Sequence, residues 1–170
     1  MVDKSDQATP SSSGRPVESV WDYPRPPRVE ATGRRIRVML PDGTSVADSN
    51  RCYRILETSH PPVYYIPRED INMNLMQETD KHTSCEWKGV ASYFSIKSES
   101  FSISNVAWSY PKPTKGAFDA IREHVAFYPS SLKCFVDDEL VDAQPGNFYG
   151  GWITKDIIGP FKGSPGTSFW

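Results

Sequence analysis

Residues 57–67, ETSHPPVYYIP, combine polar groups that could do chemistry with side chains that would hold those groups still. The tyrosines are large apolar rings that each end in a hydroxyl, and such groups suit the wall of a binding pocket. The prolines restrict the backbone, so they would keep Tyr64 and Tyr65 in place before any ligand binds. Because consecutive strand residues face opposite sides, only one of these two tyrosines can face a given pocket.

Charged residues flank this stretch in two short motifs. Arg54 and Glu57 lie in RILE, and Lys88 lies in EWKG. A carboxylate beside a lysine or arginine in a partly dry cleft is held by charge-assisted hydrogen bonds. We therefore predict a pocket for a small polar or planar ligand. Arg54 would be a polar contact of the ligand, and aromatic side chains would form the wall. The predicted wall residues are Tyr64, Tyr65, Tyr93, Trp108 and Tyr110.

Two alternatives to simple ligand binding stay open. In an enzyme, Glu57 would be the general acid or base and Lys88 its electrostatic partner. In a purely structural interpretation, the aromatic residues fill a core and Glu57 pairs with Arg54. Gly150 and Gly151 are compatible with a ligand site and with a purely structural role. Glycine permits close approach of the backbone to a ligand, and it also permits a simple bend.

Metal and thiol chemistry have weaker sequence support. His82 and Cys85 lie three residues apart, and Asp80, His60 and Cys52 are the further ligands that could join them. Tetrahedral zinc usually takes four ligands arranged in two tight pairs, so we predict no metal and no cofactor. A nucleophilic Cys85 is the other alternative, although buried cysteines more often behave as small apolar residues.

Composition limits the class of protein. The 170 residues have a net charge of -2 and a hydrophobic share of 38%, which predicts one globular domain without a basic face for nucleic acids. The sequence contains no run of about 18 apolar residues, so we predict no membrane-spanning helix. The first residues do not resemble a secretory signal. The three cysteines lack paired spacing, so we expect a reduced, cytoplasmic protein.

Alternating and turn-forming residues predict a mainly β chain. Hairpins are expected where apolar residues alternate before a PDG turn (36–47), across 86–110, and around Asp137 and Asp138. Only residues 114–129 have helical spacing, whereas residues 73–76 and their polar neighbours look irregular.

The predicted domain organisation is a disordered tail over residues 1–17 and a single domain over residues 18–170. A homodimer through Trp21, Trp152 and Trp170 is a third functional expectation, with these tryptophans forming a self-association surface.

Several motifs together resemble a known family, domain-of-unknown-function family 427, which carries a nucleotidyltransferase-like label. They are RILETSHPPVYYIP (54–67), CEWKGVASYFS (85–95), NVAWSYPKP (105–113), HVAFYP (124–129) and FYGGWIT (148–154). The resemblance implies a β-tent, in which two antiparallel sheets meet at a steep angle around a ligand-sized gap. The zinc-binding Cys-x-x-Cys pairs of other β-tent proteins are missing here, so packing would hold the sheets together. The GSPGTS turn (163–168) is not followed by the carboxylates that nucleotidyl transfer needs.

Overall fold

Short β-strands make up most of the structure, a computed structural model that describes residues 14–146 and 148–170. The strands are β1 (Glu18–Ser19), β2 (Arg28–Thr32), β3 (Ile36–Met39), β4 (Ser45–Ser49), β5 (Cys52–Leu56), β6 (Val63–Tyr65), β7 (Met76–Cys85), β8 (Gly89–Lys97), β9 (Ser102–Ser109), β10 (Val125–Phe127), β11 (Lys133–Val136), β12 (Glu139–Leu140), β13 (Asp142–Ala143), β14 (Trp152–Ile153) and β15 (Ile157–Ile158). The described helical segments are 3₁₀ turns at Val20–Asp22, Arg68–Asp70, Met73–Leu75 and Gly116–Ile121. No helix within the described ranges is long and apolar enough to cross a membrane.

The strands form several sheets, and the mainly antiparallel fold that the sequence predicts is confirmed. One four-stranded sheet has the order β10-β9-β8-β7, and a second has the order β12-β11-β3-β4. A three-stranded sheet has the order β2-β5-β6, and β13 pairs with β14. The short pair of β1 with β15 is parallel.

The predicted hairpins are present, because alternation and turn residues specify them locally. In β3, Ile36 and Val38 are buried, as is Leu40 just after it. β8 pairs with β9 in antiparallel register. Between β11 and β12, Asp137 and Asp138 both have positive φ angles, 47° and 72°, which is the conformation of a tight hairpin turn.

Strand β7 is the main element that the sequence prediction missed. The sequence predicts irregular structure around residues 73–76, but a ten-residue strand begins at Met76, directly after the 3₁₀ turn Met73–Leu75. Most of its residues are exposed or half-buried, since β7 is an edge strand of its sheet. Polar residues are common on edge strands because they discourage pairing with other chains, so β7 lacks the alternation that identifies a half-buried strand.

The helix predicted over residues 114–129 is shorter than expected. It is present only as the 3₁₀ turn Gly116–Ile121. Glu123 adopts a positive φ of 64°, which takes the chain out of helical geometry. Val125 then exchanges two backbone hydrogen bonds of 2.9 Å with Ile66. Tertiary pairing therefore overrides the helical spacing of the apolar residues at this position.

The tail prediction for residues 1–17 needs correction at its C-terminal end. Residues 1–13 lie outside the described part of the chain. Arg15, however, is buried and donates hydrogen bonds to Asp156 at 3.1 and 3.2 Å. The fold therefore includes residues before Glu18.

The chain packs around two main clusters of buried side chains, one on each side of β6. Tyr64 belongs to the larger cluster, where its ring lies 5.1 Å from the ring of Trp152. Tyr65 belongs to the second cluster, with Tyr93 and Trp108. Trp152 is fully buried, so the prediction that it forms part of a self-association surface is wrong.

Candidate functional site

A cavity of about 290 Å³ lies at the second cluster, with walls from two sheets. Ile55, Val63 and Tyr65 contribute from β5 and β6, while Tyr93 and Trp108 contribute from β8 and β9. The backbone bonds between Ile66 and Val125 join these sheets next to the cavity. Its volume is close to the lower end of the range for small-molecule sites, which are typically concave and mostly apolar.

The structure brings six of the eight predicted site residues to this cavity. They are Glu57, Tyr65, Lys88, Tyr93, Trp108 and Tyr110. Arg54 and Tyr64 lie elsewhere. Arg54 pairs with Glu18 and Glu30, while the Tyr64 hydroxyl accepts a hydrogen bond of 2.9 Å from Arg34.

A single register explains why Arg54 and Tyr64 are both absent from the cavity. These two residues lie directly opposite each other in the pairing of β5 with β6. Ile55 and Val63 are the adjacent pair, and both line the cavity. Because side chains alternate across a sheet, the Arg54–Tyr64 pair must face the other side. The expectation that only one of Tyr64 and Tyr65 faces the pocket agrees with this geometry.

The aromatic wall is held by contacts between its own members. The Trp108 indole nitrogen donates to the Tyr65 hydroxyl at 3.3 Å, and the ring of Tyr128 lies 4.6 Å from that of Trp108. The Tyr93 hydroxyl lies 2.9 Å from that of Thr83. These contacts fix the rings in position, so the wall is preformed rather than dependent on a ligand.

The buried tyrosines keep their hydroxyl protons at neutral pH. Burial raises the pKa of Tyr65 and Tyr110 above the ordinary value. Tyr110 is largely buried and lines the cavity. Its hydroxyl is therefore a donor that a bound molecule can use.

His60 lies at the cavity beside Glu57, and Gln144 determines its orientation. The Gln144 amide nitrogen donates to the Lys162 carbonyl at 2.8 Å and to His60 Nδ1 at 3.0 Å. The Gln144 amide oxygen accepts from the Gly151 backbone N–H at 3.1 Å, so the amide cannot be reversed. Because Nδ1 accepts a hydrogen bond, the proton of neutral His60 is on Nε2, which lies 3.8 Å from a Glu57 carboxylate oxygen.

The imidazole of His60 is neutral under ordinary conditions. Burial and the nearby positive charges of Lys162, Lys88 and Arg25 lower its pKa to about 4. A histidine with such a pKa does not change charge near pH 7. The charged side chains of the cavity wall are therefore Glu57, Lys88 and Lys162.

Lysine side chains lie over aromatic rings rather than beside carboxylates. The Lys88 Nζ lies 5.7 Å from the centre of the Tyr110 ring, and the Lys162 Nζ lies 5.3 Å from that of Tyr149. Neither lysine forms an ion pair with any residue in the described ranges. Glu57 and Lys88 thus share the cavity without the direct pairing that the sequence suggested.

Several cavity residues could not have been identified as a group from the sequence. His60 lies within residues 57–67, but nothing local identifies Gln144 as its partner, 84 positions away. Lys162 is farther still along the chain. Tyr128, in HVAFYP, and Tyr149, in FYGGWIT, were within recognised motifs, and their aromatic type was the available signal.

The three cysteines differ in their surroundings. Cys85 is half-buried and lines the cavity. Cys52 and Cys134 are buried in the larger cluster, where burial raises the pKa of Cys52 to about 11 and also raises the pKa of Cys134. Among the described residues, no group of three or more His, Cys, Asp and Glu is arranged to hold a metal ion.

Gly150 is required by close packing, and its replacement by alanine is expected to disturb the cavity. A Cβ atom at this position would lie 2.3 Å from the Trp108 ring, which cannot move freely because Tyr65 and Tyr128 hold it. We expect Gly150→Ala to lower the free energy of unfolding by about 1–3 kcal/mol and to change the tryptophan fluorescence.

Gly33→Ala is the matched control for this substitution. A Cβ atom at Gly33 would meet no atom within 4 Å. Chemical denaturation followed by fluorescence would compare both variants with the parent chain. Equal stability of the two variants would contradict the proposed packing of Gly150 on Trp108.

Comparison with known proteins agrees with the motifs. The sequence model of a family described as a domain of unknown function (DUF427) matches residues 28–142. The matched range includes Glu57, His60, Lys88 and Trp108, whereas Lys162 lies beyond it. No curated protein matches the chain.

Proposed function

The chain belongs to the DUF427 family, and from that premise we propose that it binds a small planar molecule in the aromatic cavity. One observation carries this proposal. The cavity has rigid aromatic walls from two sheets, formed by Tyr65, Tyr93, Trp108 and Tyr110, and charged groups also line it. Flat rings pack well between such walls, since offset and edge-to-face contacts between rings are favourable.

The polar groups would orient the bound molecule. Lys88 and Lys162 supply positive charge, Glu57 supplies acceptor oxygens, and the Tyr110 hydroxyl supplies a donor. His60 offers its Nε2 proton, because Gln144 occupies Nδ1. Most small-molecule sites combine a largely apolar surface with a few convergent polar groups of this kind.

Alkylation of Cys85 gives a direct test of ligand binding. In the folded chain, iodoacetamide should modify Cys85 first, because Cys52 and Cys134 are buried and their pKa values are raised. A molecule that fills the cavity should slow this modification, since Cys85 lines the wall. The probes are indoleacetate, indoleacetamide, adenosine monophosphate and adenosine, with intact-mass spectrometry as the readout.

The controls separate binding from unfolding. Cys85→Ser should remove the fast modification, and denatured protein should be modified at all three cysteines. Protection of Cys85 by at least one probe, with unchanged labelling of denatured protein, is the expected result. If no probe slows alkylation or changes tryptophan fluorescence, the proposed function is wrong.

A second candidate function is proton transfer on the bound molecule. It is favoured by the position of the Glu57 carboxylate at the cavity, 3.8 Å from His60 Nε2. Glu57 would accept a proton from an acidic C–H or O–H group of the molecule, and the Lys88 ammonium would stabilise the anion that results.

Deuterium incorporation distinguishes this enzyme from a binding protein. A bound probe with an exchangeable carbon acid should gain deuterium from heavy water in the parent protein, and Glu57→Gln should lose this exchange while still protecting Cys85. Protection without any exchange would support binding alone.

A further inference from the structure

We propose that the molecule bound in the cavity carries one anionic group, a carboxylate or a phosphate, which Lys88 and Lys162 bind. This inference rests on the proposed function, because it specifies the chemical class of the same ligand. It follows from the charges at the cavity, the way in which the lysines are held, and the tyrosine hydroxyl in the same wall.

The charges of the cavity wall favour an anion. Lys88 and Lys162 contribute two positive charges and Glu57 contributes one negative charge, which leaves an excess of one positive charge. The chain as a whole has a net charge of -2, so this local excess runs against the overall balance. A ligand with one negative charge would neutralise it.

Neutral His60 agrees with a positive potential around its imidazole ring. Lys162, Lys88 and Arg25 all disfavour its protonated form, in addition to the effect of burial. Glu57 is the acidic residue of the cavity wall, yet it forms no ion pair with either lysine in the part of the chain described. An anion bound here would therefore be attracted by the charges of Lys88 and Lys162, which Glu57 does not pair with.

The lysine side chains are held in a way that leaves hydrogen-bond donors free. The Lys88 ammonium lies over the Tyr110 ring and the Lys162 ammonium lies over the Tyr149 ring. A cation over a ring face is attracted by the ring without using a hydrogen-bond acceptor. Each ammonium therefore keeps N–H donors for a carboxylate or phosphate, and charge-assisted bonds of this kind are the strong ones.

Tyr110 adds a neutral donor next to Lys88. Its ring supports the lysine, and burial raises the pKa of its hydroxyl, so the proton is retained. Tyr110 lines the cavity, where this hydroxyl can donate to a ligand. A ligand with a planar ring between the walls and an anionic oxygen near Lys88 would bind the Lys88 ammonium and accept a hydrogen bond from the Tyr110 hydroxyl.

Matched pairs of probes test the inference. Indoleacetate differs from neutral indoleacetamide, and adenosine monophosphate from adenosine, mainly by the anionic group. We expect the anionic member of at least one pair to bind about tenfold more tightly, since one charge-assisted hydrogen bond contributes about that factor. The first pair tests a carboxylate and the second a phosphate, so the pair that shows the preference identifies the source of the charge.

Two variants and one control assign the preference to the lysines. Lys88→Met and Lys162→Met keep much of the apolar side chain but remove the charge, so each should reduce the preference and leave the neutral probe unaffected. Lys133→Met is the control, because Lys133 is exposed in β11 and does not line the cavity. The His60 pKa, followed by proton NMR, should rise when the anionic probe binds, because the anion offsets the lysine charges.

The outcomes separate this inference from the proposed function. If neutral and anionic probes bind equally, or if neutral probes bind better, the anion inference is wrong while the pocket remains a binding site. If the preference persists in both lysine variants, the assignment to Lys88 and Lys162 is wrong. If no probe binds, the proposed function fails and the inference fails with it.

Discussion

Replacement of Asp156 by alanine is expected to lower the free energy of unfolding by about 3–5 kcal/mol, because it removes one partner of a buried ion pair. Asp156 is fully buried. One of its oxygens accepts hydrogen bonds from Arg15, at 3.1 and 3.2 Å, and from Thr154 at 2.5 Å. The side chain of Arg34 lies 3.9 Å from the other oxygen. Without the carboxylate, the buried charge of Arg15 is left with the partly exposed Asp137 and Glu139 as partners.

Asp142→Ala is the control, since Asp142 is exposed in β13 and should change stability by less than about 0.5 kcal/mol. Urea denaturation would measure both variants. A loss below about 1 kcal/mol for Asp156→Ala would contradict the stabilising role of the pair, given that exposed ion pairs contribute no more than this.

The pH dependence of this effect has a definite sign. Burial opposes ionisation of Asp156, but hydrogen bonds from Thr154 and Arg15 outweigh it, so the pKa of Asp156 is lowered. The pKa of Glu18 is also lowered, because hydrogen bonds from Arg54 and Tyr23 outweigh burial. A carboxylate whose pKa is lowered in the folded state stabilises the protein fully at pH values above its pKa in the unfolded state, which is about 4. That stabilisation is lost as the pH falls through the pKa of the folded state. The difference between the parent chain and Asp156→Ala should therefore shrink below about pH 4.

Trp108→Ala is expected to have the largest effect on ligand binding. Trp108 is 7% exposed and lines the cavity. We expect about a hundredfold weaker binding of any probe that protects Cys85, as for buried aromatic anchors in other binding sites. Stability should fall by about 3 kcal/mol, at the low end for such truncations because one side of the ring already borders a cavity.

Trp21→Ala is the matched control, because Trp21 is 42% exposed and lies away from the cavity. It should leave probe binding unchanged and cost less than about 1 kcal/mol of stability. Trp108→Phe provides a second, better folded variant, since it keeps a ring while losing the hydrogen bond to Tyr65. Normal probe binding in folded Trp108→Ala would contradict the assignment of this wall.

Hairpins were the most predictable part of the fold, for a physical reason. Alternation in β3 and the turn at Asp137 and Asp138 depend on residues close in sequence, so local chemistry is enough. β7 and β10 were not predictable in the same way. β7 is polar because it is an edge strand, and β10 forms where the chain bonds to Ile66 instead of continuing a helix.

The candidate site was predictable in most of its aromatic part and, among its polar residues, only for Glu57 and Lys88. Tyrosine and tryptophan next to prolines indicated a rigid wall, and four of the five predicted rings line the cavity. Arg54 was misplaced because proximity to Glu57 in sequence says nothing about which face of β5 it occupies. His60 gains its role from Gln144, whose position beside it depends on the folded chain.

By itself, the sequence determined the mainly β class, the hairpins and the aromatic character of one region, since these follow from residue type and short-range spacing. The tertiary structure alone decided which face of each strand meets the cavity, that Lys162 approaches it as well, and which carboxylates pair with the buried arginines. Those features depend on strand register and on contacts between residues far apart in the chain, and a small shift in register reverses every side chain along a strand.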